Sequence, residues 1–204
     1  MTSAQFGDRN VSRETLDRLE IYAALLEKWN KSINLVAPST IPHLWSRHFV
    51  DSAQVFDLAP ASGRWIDLGT GGGFPGLICA ILAAEHAPDL SFAFVESDRR
   101  KCEFLRTVIR EIGVQADVSA TRIEQAKIEP GDIISARALA SLDKLLSLSL
   151  PLMKANAVCL FPKGANYQGE VDAALESWSF SLQETPSITD PNAVILSLGD
   201  IARA

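Results

Sequence analysis

A short apolar run, Trp65–Leu68, ends in Gly69-Thr70-Gly71-Gly72-Gly73-Phe74-Pro75-Gly76, and an apolar helical pattern, Leu77–Ala87, follows at once. Four of the five residues from Gly69 to Gly73 lack a Cβ, so backbone can lie where any side chain would obstruct it. A turn that only connects a strand to a helix needs one or two glycines. Four imply close approach of a ligand of nucleotide type, bound beyond the carboxyl end of a strand in an open α/β sheet. Pro75 suits the first helical position, where its missing N–H costs nothing.

The rest of the chain alternates in the same way. Ser91–Glu96, Gln115–Ala120, Ile133–Ala136 and Ala157–Pro162 read as strands. Helical patterns over Asp98–Ile112, Leu139–Met153 and Tyr167–Trp178 separate or follow them. Ser179–Thr185 and Ala193–Leu198 are two further strands with only a Pro-bearing loop between them, so they should pair as an antiparallel hairpin. The expected fold is α/β, with a seven-stranded, mostly parallel sheet closed by a C-terminal antiparallel hairpin. Ahead of it, Ser12 can cap a helix in which Leu16, Leu19, Ala23, Leu26, Trp29 and Ile33 recur at steps of three and four. A second helical stretch covers Ile41–Leu58, and Pro60, Ser62 and Gly63 form a break. Residues 1–62 are thus expected as a helical cap on a ligand-binding unit at 63–204, the two forming one structure.

Charge bears on the partner. The 204 residues sum to -6, which excludes indiscriminate nucleic-acid binding, but residues 129–204 alone hold nine acidic against five basic side chains. The first two thirds are nearly balanced, leaving room for local basic faces. Cys79, Cys102 and Cys159 form no close pair, which favours a reducing compartment. The first ten residues lack the pattern of a signal peptide, and no apolar stretch reaches the ~20 residues that span a bilayer, so the expected location is the cytoplasm, with no membrane association.

Gly71–Gly76 satisfies the dinucleotide pattern G-x-G-x-x-G, but a cap of some sixty residues precedes the strand and no sequence is left over for a second substrate domain. An acidic residue comes before the glycines, in Asp67-x-Gly69-x-Gly71. That arrangement resembles the first motif of class I (Rossmann-like) S-adenosylmethionine-dependent methyltransferases. Glu96, at the end of the second strand, is placed to accept hydrogen bonds from ribose hydroxyls. Thr121-Arg122-Ile123-Glu124, after the third strand, lies where this fold contacts adenine.

The wider constellation is more specific. Trp29-Asn30, Ile33-Asn34-Leu35, Arg47-His48-Phe49-Val50-Asp51-Ser52, the stretch Asp67–Gly76, Ser135-Ala136-Arg137-Ala138-Leu139-Ala140-Ser141 and Phe161-Pro162-Lys163-Gly164 occur in this order. From about Leu16 to Lys163 the chain resembles the small-subunit ribosomal RNA guanine-N7 methyltransferases, the glucose-inhibited division protein B family. The resemblance implies transfer of a methyl group from S-adenosyl-L-methionine to N7 of one guanine in small-subunit (16S) ribosomal RNA; a monomer that meets this RNA within a ribosomal particle is the expected form. The same resemblance places cofactor contacts on Gly69, Phe74, Ile123, Glu124 and Arg137, with Glu96 at the acidic ribose position, and Thr70, Gly71 and Gly73 of the same loop are expected to join them. At Pro38-Ser39-Thr40 the chain departs from the family, whose members carry a basic and an acidic residue there. A methyltransferase of another substrate, a nicotinamide-dependent oxidoreductase and a non-catalytic nucleotide-binding module are the alternatives.

Guanine N7 has a lone pair and no proton, so its methylation needs alignment rather than a general base. Arg137 is the expected catalytic residue, orienting the substrate edge or the cofactor carboxylate; an ion pair with Glu124 is the plainer role for it. Arg99, Arg100, Lys101, Arg106 and Arg110 lie along one helix, and with Arg47, His48, Lys28, Lys31 and Lys163 they would form an RNA-binding rim. His48, Asp51 and Ser52 do not suggest a triad, since His48 and Asp51 sit three apart on one helix. His43, His48 and His86 are too dispersed to suggest a metal.

Overall fold

A computed structural model describes residues 3–7 and 9–204. Strands β3 (Ser62–Leu68), β4 (Asp89–Glu96), β5 (Ala116–Ala120), β6 (Gly131–Ser135), β7 (Met153–Lys163), β8 (Trp178–Pro186) and β9 (Val194–Arg203) form a seven-stranded sheet in the order β5-β4-β3-β6-β7-β9-β8. The first five run parallel, and β9 inserts antiparallel between β7 and β8. The strand order reverses at β3, where the glycine loop begins. The expected α/β sheet and its antiparallel hairpin are both present.

Alternation along β3 sorts its side chains onto two faces. Trp65 joins the core beneath helices α1 (Arg13–Asn30), α3 (Gly76–His86) and α4 (Arg99–Ile112). Ile66 and Leu68 point into the opposite core, under α5 (Leu142–Ser149) and α6 (Tyr167–Leu175). The first core is continuous with the N-terminal segment, since Leu19, Tyr22 and Leu26 pack in one cluster with Leu77 and Phe104.

Helix α1 starts where Ser12 predicts, with the serine hydroxyl accepting from Thr15 N at 3.1 Å. Glu85, near the end of α3, accepts from Ser12 N at 3.0 Å and from the Thr15 hydroxyl at 2.6 Å, tying the start of α1 to the sheet-bearing unit. Asp98 caps α4, and Gly113 closes it at φ +69°. Four local features differ from the sequence expectation. Residues 3–12 hold a hairpin, β1 (Ser3–Phe6) with β2 (Arg9–Ser12), ahead of the helix. The stretch expected as one helix over 41–58 is a 3-10 turn at Pro38–His43, a π-helical turn at Trp45–Val50 and α2 (Asp51–Phe56). The pattern over 139–153 gives α5 and then a 3-10 turn at Leu150–Leu152, because Pro151 has no N–H to continue the helix. Pro75 takes the N-cap position of α3 rather than its first helical position, and the Phe74–Pro75 bond is cis.

Candidate active site

The glycine loop is held from below by Asp67, which is fully buried. Its carboxylate accepts from the Ser135 hydroxyl at 2.5 Å and from Gly76 N at 3.3 Å, while Ser135 accepts from Trp65 Nε1 at 2.8 Å. The acidic residue before the glycines thus joins β3, β6 and the start of α3. Burial raises its pKa from the usual 3.8 to about 6, against the lowering effect of its hydrogen bonds. Between those values the folded chain holds more protons than the unfolded one, so this group's contribution to stability falls as pH rises through the window. Asp67→Asn is expected to cost more stability below about pH 4 than above about pH 7, with a difference of about 1–3 kcal/mol in urea unfolding. An equal cost at both ends would contradict it.

Gly73 adopts φ +104°, and a Cβ there would run into the Tyr22 hydroxyl. Tyr22, fully buried on α1, donates to the Gly72 carbonyl at 2.5 Å and lies with its ring 4.9 Å from Phe49 and 5.7 Å from Phe74. Part of the loop's shape is therefore set by the N-terminal segment.

Above the carboxyl ends of β3, β4 and β5 lies a cleft of about 420 Å³, lined by Gly69, Gly71, Glu96, Ile123, Glu124 and Leu139, among others. Glu96 is 8% exposed; it accepts from Gly71 N at 2.9 Å and from Asp98 N at 2.8 Å. Two carboxylate oxygens thus sit at the rim of a cleft with apolar side chains on its walls. Glu124 is exposed and faces Lys144 at 3.8 Å. Thr70 and Phe74 are buried behind the loop, as is Gly73.

Arg137 lies outside this cleft, beside a second pocket of about 300 Å³ that shares Ala138 and Ala140 with it. Its guanidinium donates to Asp51 at 3.0 Å and to His48 Nδ1 at 2.7 Å, and stands 4.8 Å from the centre of the Phe74 ring. The partner is thus Asp51 on α2, not Glu124. Burial, then the positive charge of Arg137, lowers the His48 pKa to about 4. A neutral His48 accepts from Arg137 through Nδ1 and donates from Nε2 to the Thr40 hydroxyl at 2.8 Å. Asp51 also accepts from the Thr189 hydroxyl at 2.6 Å, which ties the β8–β9 loop to α2.

Of the expected RNA-binding residues, Arg47 and Lys163 line the second pocket and His48 contacts its Arg137, while Arg99 and Arg100 open α4. Arg47 is exposed beside the second pocket, and Arg99 and Arg100 are exposed at the start of α4, with Arg100 3.5 Å from Asp98. The Lys163 side chain is 8% exposed and donates to Glu170 at 2.6 Å and to the Ala140 carbonyl at 2.8 Å, so it braces the loop after β6. Tyr22, Asp51, Ser135 and Thr189 join the site only in the folded chain, beyond what sequence reasoning assigns to it. Tyr22 had a legible signal, since it stands three residues after Leu19 and four before Leu26 on the apolar face of α1.

Residues 15–194 match the protein family GidB, rRNA small subunit methyltransferase G. The Ribosomal RNA small subunit methyltransferase G of Ruegeria sp. (strain TM1040) is 51% identical over 194 residues, 95% of each chain. Among solved structures, a SAM dependent methyltransferase from Aquifex aeolicus superposes with TM-score 0.59 at 12% identity, over 88% of this chain and 97% of that one. TYW2 of M. jannaschii, solved in complex with AdoMet, gives TM-score 0.57 at 10% identity, over 85% and 80%. These two share the fold. The glycine loop, Glu96 and Arg137 accordingly sit in a methyltransferase scaffold rather than a dinucleotide-binding one, and the chain belongs to the rRNA small subunit methyltransferase G family.

Proposed function

We propose that the chain transfers the methyl group of S-adenosyl-L-methionine to N7 of one guanine in small-subunit ribosomal RNA, acting as a monomer on a ribosomal particle in the cytoplasm. The carrying observation is the pair of adjoining pockets that meet at Ala138 and Ala140, the first holding the hydrogen-bonded Glu96 carboxylate and the second the braced Arg137 guanidinium. The first fits the cofactor. Glu96 can accept from two vicinal ribose hydroxyls, Ile123 and Leu139 offer apolar surface to a base, and Gly69 and Gly71 leave the floor open. Bound there, S-adenosylmethionine supplies a methyl group on a sulfonium centre. N7 carries no proton, so the protein's task is to align donor and acceptor and to exclude water. Arg137 can donate to the guanine edge from the second pocket, braced by Asp51, His48 and Phe74. Arg47, Arg99 and Arg100 supply exposed positive charge for RNA phosphates.

Glu96→Gln should raise the KM for S-adenosylmethionine about tenfold or more with little change in kcat, because the carboxylate binds the donor without touching the reacting atoms. An unchanged KM would remove Glu96 from the site. The reading as a whole is tested by mapping N7-methylguanine in ribosomal RNA from cells with and without the protein. One modified small-subunit position should vanish in its absence and return on complementation.

A further inference from the structure

The second pocket holds more recognition chemistry than methyl transfer requires. It is lined by three carboxylates, and two are already engaged. Asp51 accepts from Arg137, Gln54 and Thr189, and Glu170 accepts from Lys163 and Leu142 N. The third, Asp190, has one hydrogen bond among the described residues, from Asn192 N to Oδ1 at 3.0 Å, so Oδ2 is left for a ligand. Its place is fixed by its neighbours. Thr189 is held by Asp51, which also holds Arg137, and Ile188 N donates to Gln54 Oε1 at 3.0 Å. The pocket is therefore lined by a guanidinium and by a carboxylate with a free oxygen, and Val194 and Pro162 add apolar surface to the same lining.

We propose that Asp190 is a specificity-determining residue that reads the target base, its carboxylate accepting from N1–H and the N2 amino group of a guanine turned into this pocket; the proposal rests on the methyl-transfer reading above. Guanine alone among the four bases offers two adjacent donors on its Watson–Crick edge, which suit a carboxylate, and an O6 acceptor at the corner shared with the N7 edge, which suits Arg137. A base out of its stack exposes both edges at once. N7 lies next to O6 and away from N1 and N2, so a carboxylate on the Watson–Crick edge leaves this nitrogen uncovered. Adenine would bring an unprotonated N1 against the carboxylate, and cytosine an unprotonated N3.

Two chemical changes, one on each side of the carboxylate–guanine contact, test this. Asp190→Asn keeps an oxygen for Asn192 N, and so keeps the turn, but sets an amide N–H₂ against the guanine donors. Inosine at the target position removes the N2 amino group and keeps N7. Small-subunit particles carrying guanosine or inosine at the mapped position are methylated by the wild-type chain and by Asp190→Asn. For the wild type, kcat/KM should fall about tenfold on inosine; for Asp190→Asn it should fall about 10- to 100-fold on guanosine. The variant should show a clearly smaller loss on inosine than the wild type, because Asp190→Asn already disturbs the acceptor that the N2 amino group needs. The Asp190 assignment is overturned if Asp190→Asn methylates guanosine within about twofold of wild type, or if the variant keeps the full inosine penalty. N7-methylguanine absent from the wild-type reaction would instead overturn the methyl-transfer reading itself.

Discussion

Arg137→Ala is expected to lower kcat for methyl transfer about 100- to 1000-fold while leaving the affinity for S-adenosylmethionine within about threefold of wild type. The split follows from geometry, since Arg137 stands beside the second pocket and not among the residues that line the cofactor cleft. Its guanidinium is held on three sides, by Asp51 at 3.0 Å, His48 at 2.7 Å and the face of Phe74 at 4.8 Å. An arginine so restrained can meet the guanine edge with little loss of side-chain freedom on binding. Arg137→Lys keeps the charge but loses the planar stack and the paired donors, so it should recover only a small part of the rate. Titration calorimetry with the cofactor and single-turnover methylation separate the two quantities. Parallel loss of both would move Arg137 to the cofactor side, and an unchanged rate would remove it from the mechanism.

The second large effect concerns stability. Gly76→Ala should destabilise the fold by about 3–5 kcal/mol, combining overpacking with the weakening of a buried hydrogen bond. A Cβ at residue 76 would lie 2.6 Å from Asp67 Cβ and 2.8 Å from its Cγ. Asp67 has no room to withdraw, because Ser135 and Gly76 N hold both of its oxygens. Gly113→Ala is the control: it sits at φ +69° with nothing within 4 Å of an added Cβ, so only backbone strain of about 1 kcal/mol is expected. Urea unfolding measures both, and equal losses would show that the contact with Asp67 carries no special cost.

Much of this architecture is legible in the residues. Seven strands, their alternation with helices and the closing hairpin all follow from period and punctuation, and Ser12 and Asp98 mark helix starts because a short polar side chain can satisfy exposed amides. The glycine loop and Glu96 are likewise readable, since their position at strand ends is fixed by topology. What escapes is pairing across distance. Nothing near Arg137 in the chain points to Asp51, which lies 86 residues away and reaches it only after α2 packs against the sheet. Lys163 reads as a free surface cation until Glu170 folds against it. The π-helical turn at Trp45–Val50 carries no marker of its own; it brings His48 and Phe49 to the aromatic cluster around Phe74. The hairpin at residues 3–12 is too short to show a clear period.

The place of β9 has a consequence for how the chain is made. Among the nine described strands it emerges last from the ribosome, yet it lies between β7 and β8 and supplies hydrogen bonds to both. Until it arrives, β7 exposes an open edge and β8 has no neighbour in the sheet. An unpaired edge invites strands from other molecules. Synthesis therefore passes through an interval in which the glycine loop and its cleft can already be formed while half of the sheet's far side is still adhesive, and a stall before residue 194 would hold the nascent chain in that sticky state.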